Sequence, residues 1–379
     1  MLIFAILTAS LASGLAVNAT FHKVAEPIDD HYIIVMKSGY DVVPIKNLIL
    51  GDRSGIFSGA TVKHTYTKAI KGFSAKLSKR AVEKLLARDE IKYICQDGVV
   101  RVSTVAQWGL DRISQRPLPL DGDYNFTGNG SGVNVYVIDT GIYEDSMYFG
   151  GRAKVAYDST DSNSSYGIDC DGHGTHCAGT IGAEIFGVAP GVNLFGVRVL
   201  IGCKKNGTTA DLIAGCDYVA KSSKKPAVAS MSLEHGTHRA VDEAVRGIID
   251  AGITTVVAAG NNNTDACLFS PAGVKEAITV GATFLNDRRY SLSNYGTCVD
   301  VFAPGVGIPS VSIYGEEVVQ VYSGTSMACP HVAGAVAIAL GNSKGMSPSD
   351  LKRKIIGDAT TGVVEDARPG SPNRLLYVP

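Results

Sequence analysis

The sequence lacks an excess of either charge and, away from its amino terminus, lacks a long hydrophobic run. Of its 379 residues, 35 are Lys or Arg and 36 are Asp or Glu, so the formal net charge is -1. It has no block of about five or more like charges, as nucleic-acid-binding or membrane-surface tails often have. Its longest later apolar stretch, Val332 to Leu340, is too short to cross a bilayer. We expect neither nucleic acid nor a membrane as a partner.

The chain also lacks internal repeats and low-complexity tracts, which excludes a repeat architecture. Its apolar content of 45% and its length are typical of a globular protein with about two domains. Eight cysteines are compatible with disulfides, although a core of this size does not depend on them. Their spacing alone does not pair them.

Residues 1 to 19 have the pattern of a secretory signal peptide. They contain no charged side chain, carry the apolar run Leu2 to Leu7, and end in Val17-Asn18-Ala19, which resembles a signal-peptidase site. The alternative is a membrane anchor, but the apolar core is shorter than the roughly 20 residues that a span needs. We therefore expect a secreted, extracellular protein.

Residues 20 to 103 predict a small α+β domain. Strands are expected at His31 to Met36, Gly72 to Leu77 and Ile91 to Ile94, with a helix from Lys79 to Arg88 that Ser78 caps. The segment from 101 to 107 has no clear period and is the predicted linker.

Residues 104 to 379 predict an α/β domain with a mainly parallel sheet and helices on both faces, because short apolar runs alternate with helical stretches. The expected strands include 133–138, 194–199, 227–229, 253–258 and 277–280. Functional residues in such sheets follow the strands. Asp139, Glu234 and Asn261 occupy such positions.

Four residues form a candidate catalytic set. Asp139 can orient an imidazole, although Asp-Thr-Gly is also common in turns and in aspartic proteases. His173 can be the base, or a metal ligand together with His176, which lies three residues later. Ser326 begins a buried helix as a nucleophile or as a cap, and Asn261 offers an oxyanion donor. Only together, in the order Asp, His, Ser, do they favour peptide hydrolysis.

The chain resembles the subtilases, and among them the proteinase K-like branch. The shared motifs are Val137-Ile138-Asp139-Thr140-Gly141, Gly172-His173-Gly174-Thr175-His176, Ala259-Gly260-Asn261 and Gly324-Thr325-Ser326-Met327-Ala328. The likeness runs from about Trp108 to the end. It implies a subtilisin-like catalytic domain acting on proteins or peptides.

The preceding domain is similar to the inhibitor-type propeptide of the same family, through Tyr32-Ile33-Ile34-Val35 and Lys71-Gly72-Phe73-Ser74-Ala75. That likeness implies a folding aid that inhibits the enzyme intramolecularly and is removed autocatalytically. We expect the cut between about 101 and 105, and a mature monomer.

The resemblance further implies two disulfides, Cys170 with Cys203 and Cys267 with Cys298. Three other cysteines, Cys177, Cys216 and Cys329, are expected to be reduced and buried, with a redox- or mercury-sensitive thiol as the alternative for Cys177. It also implies a structural calcium ion held by the carbonyls of Lys275 and Ala277 and by Asp300. No cofactor is expected for catalysis.

Two substitutions separate the chain from the family pattern. Ser232-Leu233-Glu234-His235-Gly236 replaces Ser-Leu-Gly-Gly-Gly beside the first specificity pocket, so Glu234 either attracts a basic side chain or narrows the pocket. Lys205-Asn206-Gly207 replaces Gly-Ser-Gly in the edge strand that pairs with substrate.

The sequence therefore predicts a secreted serine endopeptidase made as a zymogen. The alternatives are a catalytically silent binding protein on the same scaffold and a processing protease that prefers basic sites. Sequons that can carry glycans in a eukaryote lie at Asn125, Asn129, Asn163, Asn206 and Asn262.

Overall fold

The computed structural model describes residues 19–24, 27–52, 55–98, 107–160, 166–200, 203 and 207–379. It divides the chain into two compact units, residues 1–103 and 104–379. Almost all of the predicted signal peptide, the expected cut between 101 and 105, and the predicted substrate residues Lys205 and Asn206 lie outside the described residues.

The amino-terminal unit is built on one five-stranded sheet in the order β1-β5-β2-β4-β3. Ser78 caps α2 as the sequence predicts, because its side chain accepts a hydrogen bond from the Ala81 backbone N–H at 3.2 Å. Ile34, Phe73 and Leu85 are fully buried in its core. The elements are β1 (Thr20–His22), β2 (Pro27–Met36), α1 (Val42–Gly51), β3 (Thr61–Tyr66), β4 (Gly72–Lys76), α2 (Lys79–Leu86) and β5 (Ile91–Gly98).

The carboxy-terminal unit alternates strands and helices, as its apolar runs predict. In order, its elements are α3 (Trp108–Ser114), β6 (Asn134–Asp139), β7 (Ala153–Asp158), α4 (His173–Gly182), β8 (Asn193–Arg198), α5 (Thr209–Ser222), β9 (Ala227–Met231), β10 (His235–Gly236), α6 (Arg239–Asp250), β11 (Thr254–Ala258), β12 (Phe269–Ser270), β13 (Ile278–Thr283), β14 (Val301–Pro304), β15 (Ile308–Val311), β16 (Val319–Tyr322), α7 (Thr325–Asn342), α8 (Pro348–Asp358), β17 (Thr360–Thr361) and β18 (Arg374–Leu375).

The main sheet has nine strands in the order β17-β18-β14-β13-β11-β9-β6-β8-β7. All of its recorded strand pairs are parallel except β17 with β18. Parallel neighbours need crossover connections, and these contain α4 between β7 and β8 and α6 between β9 and β11. The carboxyl ends of β6 and β11 therefore lie on the same edge of the sheet.

Helices cover both faces of this sheet, which explains why its strands read as continuous apolar runs. Val135 and Val137 of β6 point into a core shared with α4 and α7. Tyr136 and Ile138, their neighbours in the strand, point into the opposite core, shared with α5 and α6. The predicted α/β fold with two covered faces is confirmed.

Both disulfides implied by the resemblance are present, Cys170 with Cys203 and Cys267 with Cys298. Cys177, Cys216 and Cys329 are unpaired and buried, as expected. Within the part of the chain that the structure describes, no helix combines the length and the apolar character needed to span a membrane.

Candidate active site

The site begins at the end of β6, where Asp139 is fully buried. Its Oδ1 lies 2.7 Å from Nδ1 of His173, the first residue of α4, and accepts the Thr140 backbone N–H at 2.8 Å. The His173 side chain is 12% exposed, so one side of the ring still faces the cleft. A strand end and a helix start thus hold an acid–imidazole pair whose outer nitrogen is available for proton transfer.

A glycine allows this close approach of helix and strand. A Cβ atom on Gly174 would lie 2.3 Å from the carbonyl oxygen of Gly141 and 3.1 Å from the Asp139 Cβ. Any side chain at position 174 would push α4 away from β6. The glycine that follows His173 in the sequence is therefore a requirement of the Asp139–His173 distance.

The surroundings of His173 act on its pKa in opposite directions. Burial is the largest single effect and lowers it, whereas the Asp139 carboxylate and, after it, Cys177 raise it, so that the net pKa lies well above the ordinary value of 6.5. Asp139 therefore stabilises the imidazolium form. This is the form that a general base takes once it has accepted a proton.

Ser326 is the second residue of α7, and the helix N-cap is Gly324 rather than the serine. Pro330 has no N–H, so it cannot bond the carbonyl of Ser326 four residues earlier. That carbonyl instead accepts the Ser232 hydroxyl at 2.9 Å and the Cys177 thiol at 3.5 Å. Because Gly324 is the N-cap, the interpretation of Ser326 as a helix cap is wrong.

The hydroxyl of Ser326 donates to the Ser232 carbonyl oxygen at 3.3 Å. Among the described residues it has no hydrogen bond to His173, although both side chains line the same cleft. Resting enzymes often show such loose geometry, which tightens when a substrate binds.

Asn261 follows β11 and lies beside the start of α7. Its Oδ1 accepts from the backbone N–H and the hydroxyl of Thr325, at 2.9 and 3.2 Å. The side-chain NH₂ makes no hydrogen bond within the described ranges, so it is available as a donor. Gly324 has a φ of 150°, and a Cβ there would lie 3.2 Å from this Oδ1. The lack of a side chain at Gly324 therefore allows the start of α7 to pack against the side-chain amide of Asn261.

These residues surround a cleft of about 470 Å³. Glu234, which the sequence predicted beside the first specificity pocket, connects two segments that line the cleft. Its Oε2 accepts hydrogen bonds from the Asn261 backbone N–H at 2.9 Å and from Asn262 Nδ2 at 3.2 Å. The lining includes His173, Leu200, Thr209, Ser232, Leu233, Glu234, His235, Gly260, Asn261 and Ser326.

Comparison with known proteins agrees with this geometry. Residues 130–375 match the Subtilase family, and residues 31–103 match Peptidase inhibitor I9. The chain belongs to the subtilase family. It is a serine protease, and its amino-terminal unit is related to the peptidase inhibitors that precede such domains.

Individual relatives support the assignment of this subtilase. It is 44% identical to the Extracellular serine proteinase of Thermus sp. (strain Rt41A), over 94% of this chain and 91% of that protein. It is 46% identical to the Alkaline serine exoprotease A of Vibrio alginolyticus, over 86% of this chain and 61% of that protein. A crystal structure of a cold adapted subtilisin-like serine proteinase matches with a TM-score of 0.70 and 48% identity, covering 73% of this chain and 99% of that one.

Sequence reasoning missed a buried carboxylate that organises the subtilase site. Asp169 accepts hydrogen bonds from the Thr140 hydroxyl at 2.9 Å and the Thr175 hydroxyl at 2.6 Å, and from backbone N–H groups that include Gly172 at 2.8 Å. It thereby ties the turn after β6 to the first turn of α4. In the sequence, only its position just before the histidine motif pointed to Asp169. That signal is weak, because Asp and Gly are frequent in ordinary turns.

Asn294 supports the other side of the site. It is fully buried, donates from Nδ2 to the Ala259 carbonyl at 2.8 Å, and accepts the backbone N–H groups of Asn262 and Thr264 at 3.0 and 3.1 Å. These bonds fix the loop that carries Asn261. Its sequence segment indicated family likeness but not this contact.

His176 has a structural role rather than that of a metal ligand beside His173. Its Nε2 lies 2.9 Å from the Ile308 carbonyl oxygen, and burial lowers its pKa to about 3. The ring is therefore neutral and engaged with the backbone of β15.

The positions expected to hold calcium converge on a different cation. The carbonyls of Lys275 and Ala277 and the Asp300 carboxylate accept from the ammonium group of Lys352, at 2.7, 2.6 and 2.8 Å. Calcium requires six to eight oxygen ligands at about 2.3–2.6 Å, and here the centre of the ligand set is a nitrogen. With Lys352 in place these residues do not fit a calcium ion.

Proposed function

We propose that the chain is a secreted serine endopeptidase that hydrolyses peptide bonds through an acyl-enzyme intermediate. The observation that carries this proposal is the 2.7 Å contact between Asp139 and His173 in a cleft that also contains the Ser326 hydroxyl. Nucleophile, base and orienting acid are the parts that acyl transfer requires. The extracellular relative supports secretion.

The proposed reaction has two halves. Ser326 Oγ attacks the substrate carbonyl while its proton passes to His173 Nε2, and Asp139 holds the Nδ1–H of the ring. The imidazolium then protonates the amine as the peptide C–N bond breaks, which leaves the acyl-serine. In the second half, water loses its proton to His173 and attacks the acyl-serine. The acid product leaves and Ser326 is reprotonated.

Two donors are proposed to bind the negatively charged oxygen of the tetrahedral intermediate. They are the Asn261 side-chain NH₂ and the Ser326 backbone N–H, which belongs to the first turn of α7 and so has no partner within the helix. The bonds from Thr325 to Asn261 Oδ1 orient the amide for this role. Such donors act most strongly on the charge that develops in the transition state.

Glu234 is proposed to narrow the first specificity pocket. Its Oε2 bonds the backbone of Asn261, and it would lie 2.8 Å from a Cβ atom on Gly260. The carboxylate thus spans the gap between the pocket walls. We expect small residues before the cut to be preferred over large aromatic ones, and the position to tolerate Lys or Arg without requiring them.

The inhibitor-like unit is proposed to block the cleft until the enzyme removes it between about residues 101 and 105. Purified full-length precursor tests both this step and the chemistry. Mass spectrometry should find the cut in the native chain and an intact chain in Ser326→Ala. Casein fragments with two new internal ends should appear only with the native chain. Equal processing in both chains, or trimming only from chain ends, would contradict the proposal.

A further inference from the structure

The ammonium group of Lys352 lies in a complete oxygen cage. The side chain projects from α8 and donates to two carbonyls of the turn before β13 and to Asp300, the residue before β14. An ammonium has three N–H donors, and here it has three acceptors within 2.8 Å. Its hydrogen-bonding capacity is fully used.

The cage also supplies the matching charge. The side chains of Lys352 and Asp300 are only 18% and 19% exposed, and Asp300 Oδ2 additionally accepts the Thr279 backbone N–H at 2.9 Å. Burial raises the pKa of the Asp300 carboxyl, while the positive charge of Lys352 acts in the opposite direction. A carboxylate in this position needs a cation beside it.

We propose that Lys352 is a built-in cation that takes the place of a metal ion at this site. One covalently attached charge links α8 to the two strands, so its occupancy does not depend on a metal in the medium. A bound ion, by contrast, stabilises a fold by an amount that grows with the logarithm of its concentration relative to Kd and vanishes when the ion is removed. The stability supplied by this site is therefore independent of calcium.

Substituting the lysine should convert the cage into a calcium site. Lys352→Met keeps most of the apolar stem, removes the charge, and leaves two carbonyls, a carboxylate and space for water, which are the ligands calcium uses. Lys354→Met is the matched control, because Lys354 lies on the same helix and pairs with Asp358 at 2.8 Å outside the cage. Both are made in the full chain with Ser326→Ala to prevent self-digestion.

The readouts are calorimetric unfolding in EDTA and in millimolar calcium chloride, and calcium stoichiometry by isothermal titration. In EDTA, Lys352→Met should lower Tm by roughly 5 °C, whereas Lys354→Met should change it by about 1 °C or less. In calcium, Lys352→Met should recover most of that loss and bind one ion more than the parent. Adding Asp300→Asn should abolish the gain.

Three results would overturn the proposal. The first is a Lys352→Met variant that cannot be distinguished from the Lys354→Met control in either medium. The second is a loss of Tm that calcium does not reverse, since the cage would then be an ordinary ion pair. The third is a parent chain that binds one calcium ion fewer after Asp300→Asn, since a metal would then already occupy the site. None of these readouts depends on proteolytic activity.

Discussion

The two sides of the cleft are built in different ways. One side, the reacting side, carries the proposed catalytic residues Asp139, His173 and Ser326. Asp139 is fully buried there, and hydrogen bonds from several elements fix Asp139, His173 and the Ser326 carbonyl. On the pocket side, Glu234 and His235 are exposed. Buried hydrogen bonds cost more to break than exposed ones, so the reacting side tolerates little change. We therefore expect substitutions on the pocket side to alter the proposed substrate preference without loss of the chemistry.

The sharpest test of the reacting side is Asp139→Asn. The amide keeps the shape of the side chain but can donate a hydrogen bond to His173 Nδ1 and so favour the unproductive tautomer. We expect kcat to fall by about 10⁴-fold on a peptide amide substrate. Asp145→Asn, at an exposed position in the loop after the same strand, should leave kcat unchanged. A loss of less than tenfold in Asp139→Asn would contradict the assigned role.

The next largest effect should come from Asn261→Ala. Removing one oxyanion donor should lower kcat by about 10²–10³-fold with little change in KM, because the bond forms mainly in the transition state. Asn262→Ala, which removes a neighbouring amide that bonds Glu234, should lower kcat less than about threefold. Steady-state kinetics on one peptide series compare the two. Similar losses in both variants would mean that the loop as a whole, and not the Asn261 amide, is responsible.

The pH profile tests the electrostatics of the same side. In the proposed mechanism His173 must be neutral to accept a proton, and its pKa lies well above 6.5 because Asp139 and Cys177 together outweigh the effect of burial. We expect kcat/KM to fall about tenfold for each pH unit below this raised pKa. The acidic limb should therefore lie above pH 6.5. In Asp139→Asn it should move to lower pH, and a limb that stays in place would contradict the coupling.

How much the sequence alone could predict differs between the same two sides. The order Asp139, His173, Ser326 and their glycine-rich motifs indicated the residues now proposed to react, and the structure places these residues around one cleft. The β6 and β11 strands were predicted because buried parallel strands are continuously apolar. Local patterns were sufficient where the physical constraint is local.

Contacts between distant segments could not be predicted in this way. Asp169 and Asn294 are polar residues in turns, and their role depends on elements far along the chain. Lysine is usually exposed on a helix of this kind, and nothing near Lys352 in the sequence indicates that Asp300 and two carbonyls surround its ammonium group. The disulfides were predicted only through family likeness, since their spacing alone fits many pairings.

The smallest expected effect concerns the pocket side. Glu234→Gly should widen the pocket and raise kcat/KM for Phe relative to Ala before the cut by about 5- to 10-fold. Glu234→Gln keeps the width of the pocket and an acceptor for the Asn261 N–H but removes the charge. It therefore separates narrowing of the pocket from attraction of a basic side chain. Unchanged Lys-to-Ala selectivity in Glu234→Gln supports narrowing. A tenfold loss of that selectivity would instead assign Glu234 to the recognition of basic residues.

Pro330 has a consequence for how this protease could be engineered. Because Pro330 has no N–H, the Ser326 carbonyl has no partner within α7 and accepts the Ser232 hydroxyl instead. The Ser326 hydroxyl in turn donates to the Ser232 carbonyl. These bonds fix the proposed nucleophile, Ser326, and the proposed substrate-binding residue Ser232 relative to each other. We therefore expect a redesign of the pocket that shifts Ser232 to shift Ser326 as well, so that the two positions have to be optimised together.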